Sequence, residues 1–242
     1  MGTGSTDVTP LERQQLRVVQ QATFWHRTRF GMVRRQMRTI GASCVVDIGA
    51  GSGLLGDWLR RVEHDVDYRF AESSSSLATG LRDRFGIESE VRIGDPMPAH
   101  CVVAMLDVIE HIDDDVGALS AVAAEMDHRS RLVVTVPALP SLFSPWDTAL
   151  GHHRRYTRRS LRAALEAGGL HVQSVSYLFP ELLPIAVFRR IRPSDGSAAD
   201  FPSLPVWVDR CAGAVAGISA RVRRLWPAGT SLVAVASSEV RR

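Results

Sequence analysis

At 242 residues and 45% hydrophobic content, the chain can bury one substantial core, and a single α/β-sized domain fits that length better than two. Its 29 basic residues against 26 acidic ones leave a net charge of only +3, and no long basic block occurs, so nucleic acid is not expected as a partner. All the basic residues are arginine, which excludes Schiff-base and pyridoxal-phosphate lysine chemistry and the lysine-dependent phosphate loop of many ATPases.

The polar residues 1–9 read as a disordered leader, and 10–242 as one domain. There is no apolar signal core, and no run reaches the ~18 apolar residues that a spanning helix needs, so a cytoplasmic location is expected. Cys44, Cys101 and Cys211 are widely spaced and suggest neither a disulfide framework nor a zinc knuckle. Over 10–40 the apolar residues fall at helical spacings that suggest two helices hinged near Thr23. They form either a cover packed beside a sheet or a lid with Trp25, His26 and Arg29 facing a ligand.

From Cys44 the pattern alternates strand and helix. Strands are read at 44–48, 67–71, 88–92, 101–106, 131–136, 170–178 and 231–237, and helices near 54–62, 75–85, 114–126 and 158–167. Such alternation predicts an α/β fold with a doubly wound, mostly parallel sheet, in which ligands bind beyond the carboxyl ends of the strands.

The first strand, Val45-Val46-Asp47-Ile48, runs into Gly49-Ala50-Gly51-Ser52-Gly53 and then a helix. Glycines there permit unusual φ/ψ values and close approach of a ligand, and the helix start adds free N–H groups. Nucleotide, flavin and sulfonium cofactors all use such a turn. Glu72 follows the second strand, 25 residues after Asp47, where a carboxylate can accept hydrogen bonds from both ribose hydroxyls of an adenosine. Its other reading is as a neighbour of the helix cap among Ser73 to Ser76. Gly94-Asp95-Pro96 places an acid in a rigid turn, and the fourth strand leaves through Leu106-Asp107-Val108-Ile109-Glu110-His111.

Together, DIGAGSG, the acid after the second strand, the GD turn and LDVIEHIDD resemble a class I S-adenosylmethionine-dependent methyltransferase. The run from VPALPSLFSPWD to GHHRRYTRRSL is similar to a small-molecule subgroup with a GHHRRYT loop. The resemblance implies a Rossmann-like seven-stranded sheet with an antiparallel last strand, and S-adenosylmethionine as methyl donor. Carried onto this chain, it implies cofactor binding by Asp47, Gly49, Ala50, Gly51, Gly53, Glu72, Ser73, Asp95, Pro96, Leu106 and Asp107. Family members often carry Asp where this chain has Glu72, a place either carboxylate could fill.

If the acceptor is a hydroxyl, a general base helps remove its proton. His153 and His152 are the leading candidates, followed by His111 and Tyr156, with Asp147 nearby; one of two adjacent histidines usually points away from any pocket. Asp113, Asp114 and Asp115 read as cap and first-turn residues complementing a helix dipole, and no metal is expected. Arg154, Arg155, Arg158, Arg159 and Arg162 form either a solvated face or, through Arg154 or Arg155, a contact for an acidic acceptor.

The 180–230 insertion, with an amphipathic stretch from Val206 to Ile218, reads as a helical pair, an apolar wall for a small-molecule or lipid-linked acceptor, or a weak membrane-surface contact. Oxygen methylation is the leading reading. The alternatives are transfer to carbon or nitrogen, a non-catalytic S-adenosylmethionine-binding protein, and a nicotinamide-dependent dehydrogenase, which the G-x-G-x-G spacing disfavours.

Overall fold

A computed structural model describes residues 22–191 and 204–238. The proposed leader, the helix expected before Thr23 and part of the 180–230 insertion lie outside the described residues. The elements in order are α1 (Phe24–Ile40), β1 (Cys44–Ile48), α2 (Leu54–Val62), β2 (Asp67–Ala71), α3 (Ser75–Phe85), β3 (Cys101–Leu106), α4 (Asp115–Glu125) and β4 (Arg131–Pro137). There follow the short α5 (Pro145–Ala149), α6 (Arg158–Ala167), β5 (Leu170–Leu178), α7 (Leu183–Ile191), α8 (Val206–Arg221) and β6 (Ser231–Ser238).

Local chemistry sets many of these boundaries. The Asp114 side chain accepts the Gly117 N–H at the start of α4, and Thr157 accepts the Ser160 N–H at the start of α6, each satisfying a helix donor that has no intrahelical partner. The α1 helix begins at the Thr23 cap and stops at Gly41, whose φ of 70° ends it in the left-handed region.

The sheet order is β2-β1-β3-β4-β6-β5. Strands β1 to β4 pair in parallel, whereas β6 runs antiparallel to both β4 and β5. Side chains alternate across the sheet into two cores. Val45, Val102, Ala104 and Val133 face Phe30, Val33, Leu55, Leu59 and Leu81. Val46, Val103, Met105 and Leu132 face Leu119, Val122, Leu161 and Leu165. Helices cover both faces of the sheet. The α8 part of the insertion lies on α1, where Asp209 accepts the Phe24 N–H at 2.7 Å and pairs with Arg27 at 2.7 Å.

The strand expected over 88–92 is the one correction to the element reading. Residues Ile87–Ser89 form a 3-10 turn, and the only sheet contact there is a parallel bridge between Phe70 and Glu90. Beyond β2 the edge has little to bury: Ile87 is 72% exposed and Ile93 48%, while Glu90 is drawn into an ion pair with Arg82 at 2.6 Å. The six strands, with that bridge in the seventh place, retain the arrangement that the resemblance implies. Among the described residues, no helix is long and apolar enough to cross a membrane.

Gly53 couples this packing to the cofactor turn. Its φ is 77°, and a Cβ would lie 2.6 Å from Leu81 Cδ2 and 2.8 Å from Phe85 Cε2. Left-handed strain and overpacking then act together. Gly53→Ala is expected to lower stability by about 2 kcal/mol or more, read as a reduced urea midpoint at unchanged m-value.

Candidate active site

The carboxyl ends of β1, β3 and β4 open at one edge of the sheet. After β1, Gly49, Gly51 and Gly53 all have positive φ, at 71°, 56° and 77°. Gly49 also has to be small, because a Cβ there would sit 2.7 Å from Val108 Cγ2 in the β3 exit. Glu72 closes the turn: its carboxylate accepts the Gly51 N–H at 2.7 Å and the Ser74 N–H at 2.9 Å. The acid is therefore oriented toward the glycine turn and at the same time anchors the start of α3.

Ala50 is half-buried beside this turn, and Ser73 is exposed. Asp47 lies buried beneath it, accepting the Tyr68 hydroxyl at 2.8 Å. Burial pushes its carboxyl up to about 7, the Tyr68 bond opposes this, and the Glu72 charge adds to it. Asp95 and Pro96 stand exposed in the turn expected for them, which Glu125 ties down through the Gly94 N–H.

The β3 exit is more constrained. Leu106 is half-buried, and Asp107 has a φ of 58°. The Asp107 N–H donates to Thr135 O at 2.9 Å, and its carboxylate accepts the Thr135 hydroxyl at 3.1 Å. Arg29 from α1 pairs with the same carboxylate at 2.9 Å and donates to Ser231 Oγ at 3.2 Å. Its guanidinium is 4.1 Å from the centre of the Trp25 ring, which stacks on Phe179. The Arg29 Nε and Nη1 atoms are buried without a protein partner.

The 10–40 segment is thus both cover and edge of the site, but His26 is committed to capping its own helix at Thr23. Burial first, then repulsion from Arg29, lowers His26 to about 4.

Glu110 and His111 follow in a single 3-10 turn, Ile109–His111. Glu110 is fully buried, and neither carboxylate oxygen has a partner. Burial, then the Asp107 charge, pushes it well above the ordinary carboxylate range. The His111 ring meets His152 edge-on with centres 4.7 Å apart, and its Nδ1 lies 3.3 Å from Gly151 O. Burial, then His152, lowers the His111 imidazole.

The loop after β4 is organised by Asp147, whose side chain is fully buried. It contacts His152 Nδ1 at 3.0 Å, both ends of the Arg155 fork at 2.7 and 3.0 Å, and the Ser144 N–H and hydroxyl at 3.0 and 3.1 Å. Burial alone would raise its carboxyl, but the His152 and Arg155 bonds and charges outweigh this and hold Asp147 at about 2.

The neighbouring histidine differs. His153 is exposed, and its backbone N–H donates to Glu110 O at 2.8 Å. Tyr156 is buried, with its hydroxyl donating to Asp115 Oδ2 at 2.6 Å; burial and then that bond raise the phenol well above its usual value. The loop arginines are also bound internally, Arg155 to Asp147 and Arg154 to Asp113 and Asp115.

Sequence reasoning brought His111, His152 and Asp147 forward but missed Glu110. The available signal was a lone acid among apolar neighbours in Val108-Ile109-Glu110-His111-Ile112.

A family model for a methyltransferase domain matches residues 25–175. The chain belongs to this family. It is an S-adenosylmethionine-dependent methyltransferase, and the dehydrogenase reading falls away. No curated protein matches this methyltransferase.

Among solved structures, one similar to it is an S-adenosylmethionine-dependent methyltransferase from Archaeoglobus fulgidus. The two are 17% identical with a TM-score of 0.53, covering 86% of this chain and 92% of that one. Another is the [4+2]-cyclase SpnF, at 15% identity and a TM-score of 0.55, covering 96% and 93%. At these identities the likeness describes the fold.

Asp47 gives this fold a pH dependence. Its folded pKa of about 7 lies above its ordinary value of 3.8. Between those values the folded chain holds a proton that the unfolded chain has released, so its contribution to stability declines as pH rises from about 4 to about 7. Asp47→Asn is expected to flatten that slope, measured as urea midpoints across the interval.

Proposed function

We propose that this methyltransferase transfers the methyl group to a hydroxyl oxygen of a small or lipid-linked acceptor, with the glycine turn on the donor side and His152 on the acceptor side. The observation that carries this reading is the contact of His152 Nδ1 with the buried Asp147 carboxylate at 3.0 Å. With Asp147 ionised, the His152 proton belongs on Nδ1, which leaves Nε2 as an acceptor. His152 Nε2 then takes the proton from a hydroxyl presented beside it.

The donor side fits the cofactor. Glu72 offers a carboxylate for ribose hydroxyls, Gly49, Ala50, Gly51 and Gly53 offer a backbone cradle, and Asp47 lies beneath it. By the resemblance, Ser73, Asp95, Pro96, Leu106 and Asp107 would join them around the cofactor. Bound S-adenosylmethionine supplies a methyl group already activated by its sulfonium, so the protein's own task is alignment and exclusion of water.

An apolar acceptor suits the neighbouring surface. A groove of about 530 Å³, lined by Phe143, Ser144, Pro145, Thr148, Ala149 and Arg190, runs between α5 and α7. Ser144 in its wall is itself bonded to Asp147. Ile185, Val187 and Phe188 of α7 are exposed nearby in sequence, which favours a lipid-like molecule or a lipid surface over a fully polar acceptor.

His152→Ala is expected to lower the rate roughly 10²-fold or more while leaving S-adenosylmethionine affinity unchanged, and Glu72→Ala to weaken that affinity. Labelled methyl transfer into lipid, glycan and small-molecule fractions, followed by the stability of the new bond to base, checks the acceptor. A label recovered on carbon or nitrogen would remove the oxygen reading. Tight cofactor binding with no transfer into any fraction would favour a non-methylating role.

A further inference from the structure

We propose that Glu110, His111 and His152 form a binding site for a divalent transition cation, zinc being the best match to two imidazoles and one carboxylate. One ligand atom from each residue lies within 4.8 Å of the others. Ligation at about 2.0–2.2 Å requires closer spacing, so the side chains must draw together by roughly an ångström.

Two independent observations point to a ligand there. The Glu110 carboxylate is fully buried with both oxygens unpartnered, an arrangement that is costly unless something occupies it. The imidazoles are also set for ligation: His152 contacts Asp147 through Nδ1 and His111 contacts Gly151 O through Nδ1. Each therefore has Nε2 free to bind as a neutral ligand, and the Asp147–His152 contact is the carboxylate support that metal-binding histidines commonly have. The surrounding charge is mixed, with Asp107 and Asp147 favouring a cation and Arg29 and Arg155 opposing it.

Three protein ligands leave one position of a tetrahedral ion open. Resting on the oxygen-methylation reading, that position would take the acceptor hydroxyl; a cation on His152 Nε2 would occupy the lone pair of the general base and take over its role, favouring loss of the hydroxyl proton to water. Cation binding itself does not depend on that reading.

Chelator-dialysed full-length protein titrated with Co²⁺, with Zn²⁺ as competitor, tests the site through the visible absorption of bound cobalt. One equivalent is expected to bind and to be displaced by Zn²⁺. Glu110→Gln, His111→Ala and His152→Ala should each weaken binding at least tenfold, and Asp147→Asn about 10- to 100-fold. His153→Ala should bind as the parent does. Unchanged S-adenosylmethionine affinity in each variant checks that it is folded.

Failure of the parent protein to take up cobalt or zinc, or equal loss in His153→Ala, would overturn the proposal. If no cation binds yet His152→Ala still slows methylation, the metal site fails and the general-base reading stands. If one cation binds and no hydroxyl is methylated, the site stands and the oxygen reading fails.

Discussion

The Arg29–Asp107 ion pair is the interaction on which the carboxyl edge of the sheet depends. Arg29 is only 3% exposed, yet it meets Asp107 at 2.9 Å and Ser231 at 3.2 Å while lying against Trp25. One side chain thus joins α1, the exit of β3 and the start of β6. Asp107 is a third exposed and Arg29 is buried, so removing Asp107 would leave a buried guanidinium without its counter-charge, the costlier of the two losses. Here the pair also has a directional effect. With Asp107 held in the left-handed region by Arg29 and Thr135, the chain turns Val108 toward Gly49 and carries Glu110 and His111 toward the loop after β4.

Most of the fold was legible in the sequence because its elements are set by neighbours close along the chain. The boundaries of α2, α3 and α6 were read directly, as were those of β1, β2, β3 and β5. Capping oxygens, strand alternation and turn glycines act within a few residues. The 88–92 strand failed for want of side chains to bury. Glu88-Ser89-Glu90-Val91-Arg92 holds one apolar side chain, and at the sheet edge only Val91 packs against the core.

The candidate site was legible in a different proportion. Glu72 could be read beside the glycine turn because both lie at ends of adjacent strands, and the Gly51–Glu72 hydrogen bond spans that short distance. The acceptor side is assembled across much longer separations, with Arg29 reaching Asp107 and His153 N–H reaching Glu110 O. Spacing along the chain does not reveal which of His152 and His153 turns inward. Nor does it show that Arg154 and Arg155, which together read as a basic patch, are each bound to an acid, Arg155 to Asp147 of its own loop and Arg154 to Asp115 at the start of α4.

This division gives the two halves of the site different tolerance to change. The donor turn is largely backbone, so its requirements fall on φ values and on the space in which Gly49 meets Val108. The loop after β4, the proposed acceptor side, instead depends on side chains converging on Asp147, where five contacts from Ser144, His152 and Arg155 share one buried carboxylate. Exchanging one of those partners alters the orientation of the rest without disturbing the glycine turn. A fold can then keep its cofactor cradle while the chemistry beside it diverges. In this chain the decisive element of the variable half is therefore Asp147, which holds the His152 ring through Nδ1 and so leaves Nε2 as its outward nitrogen.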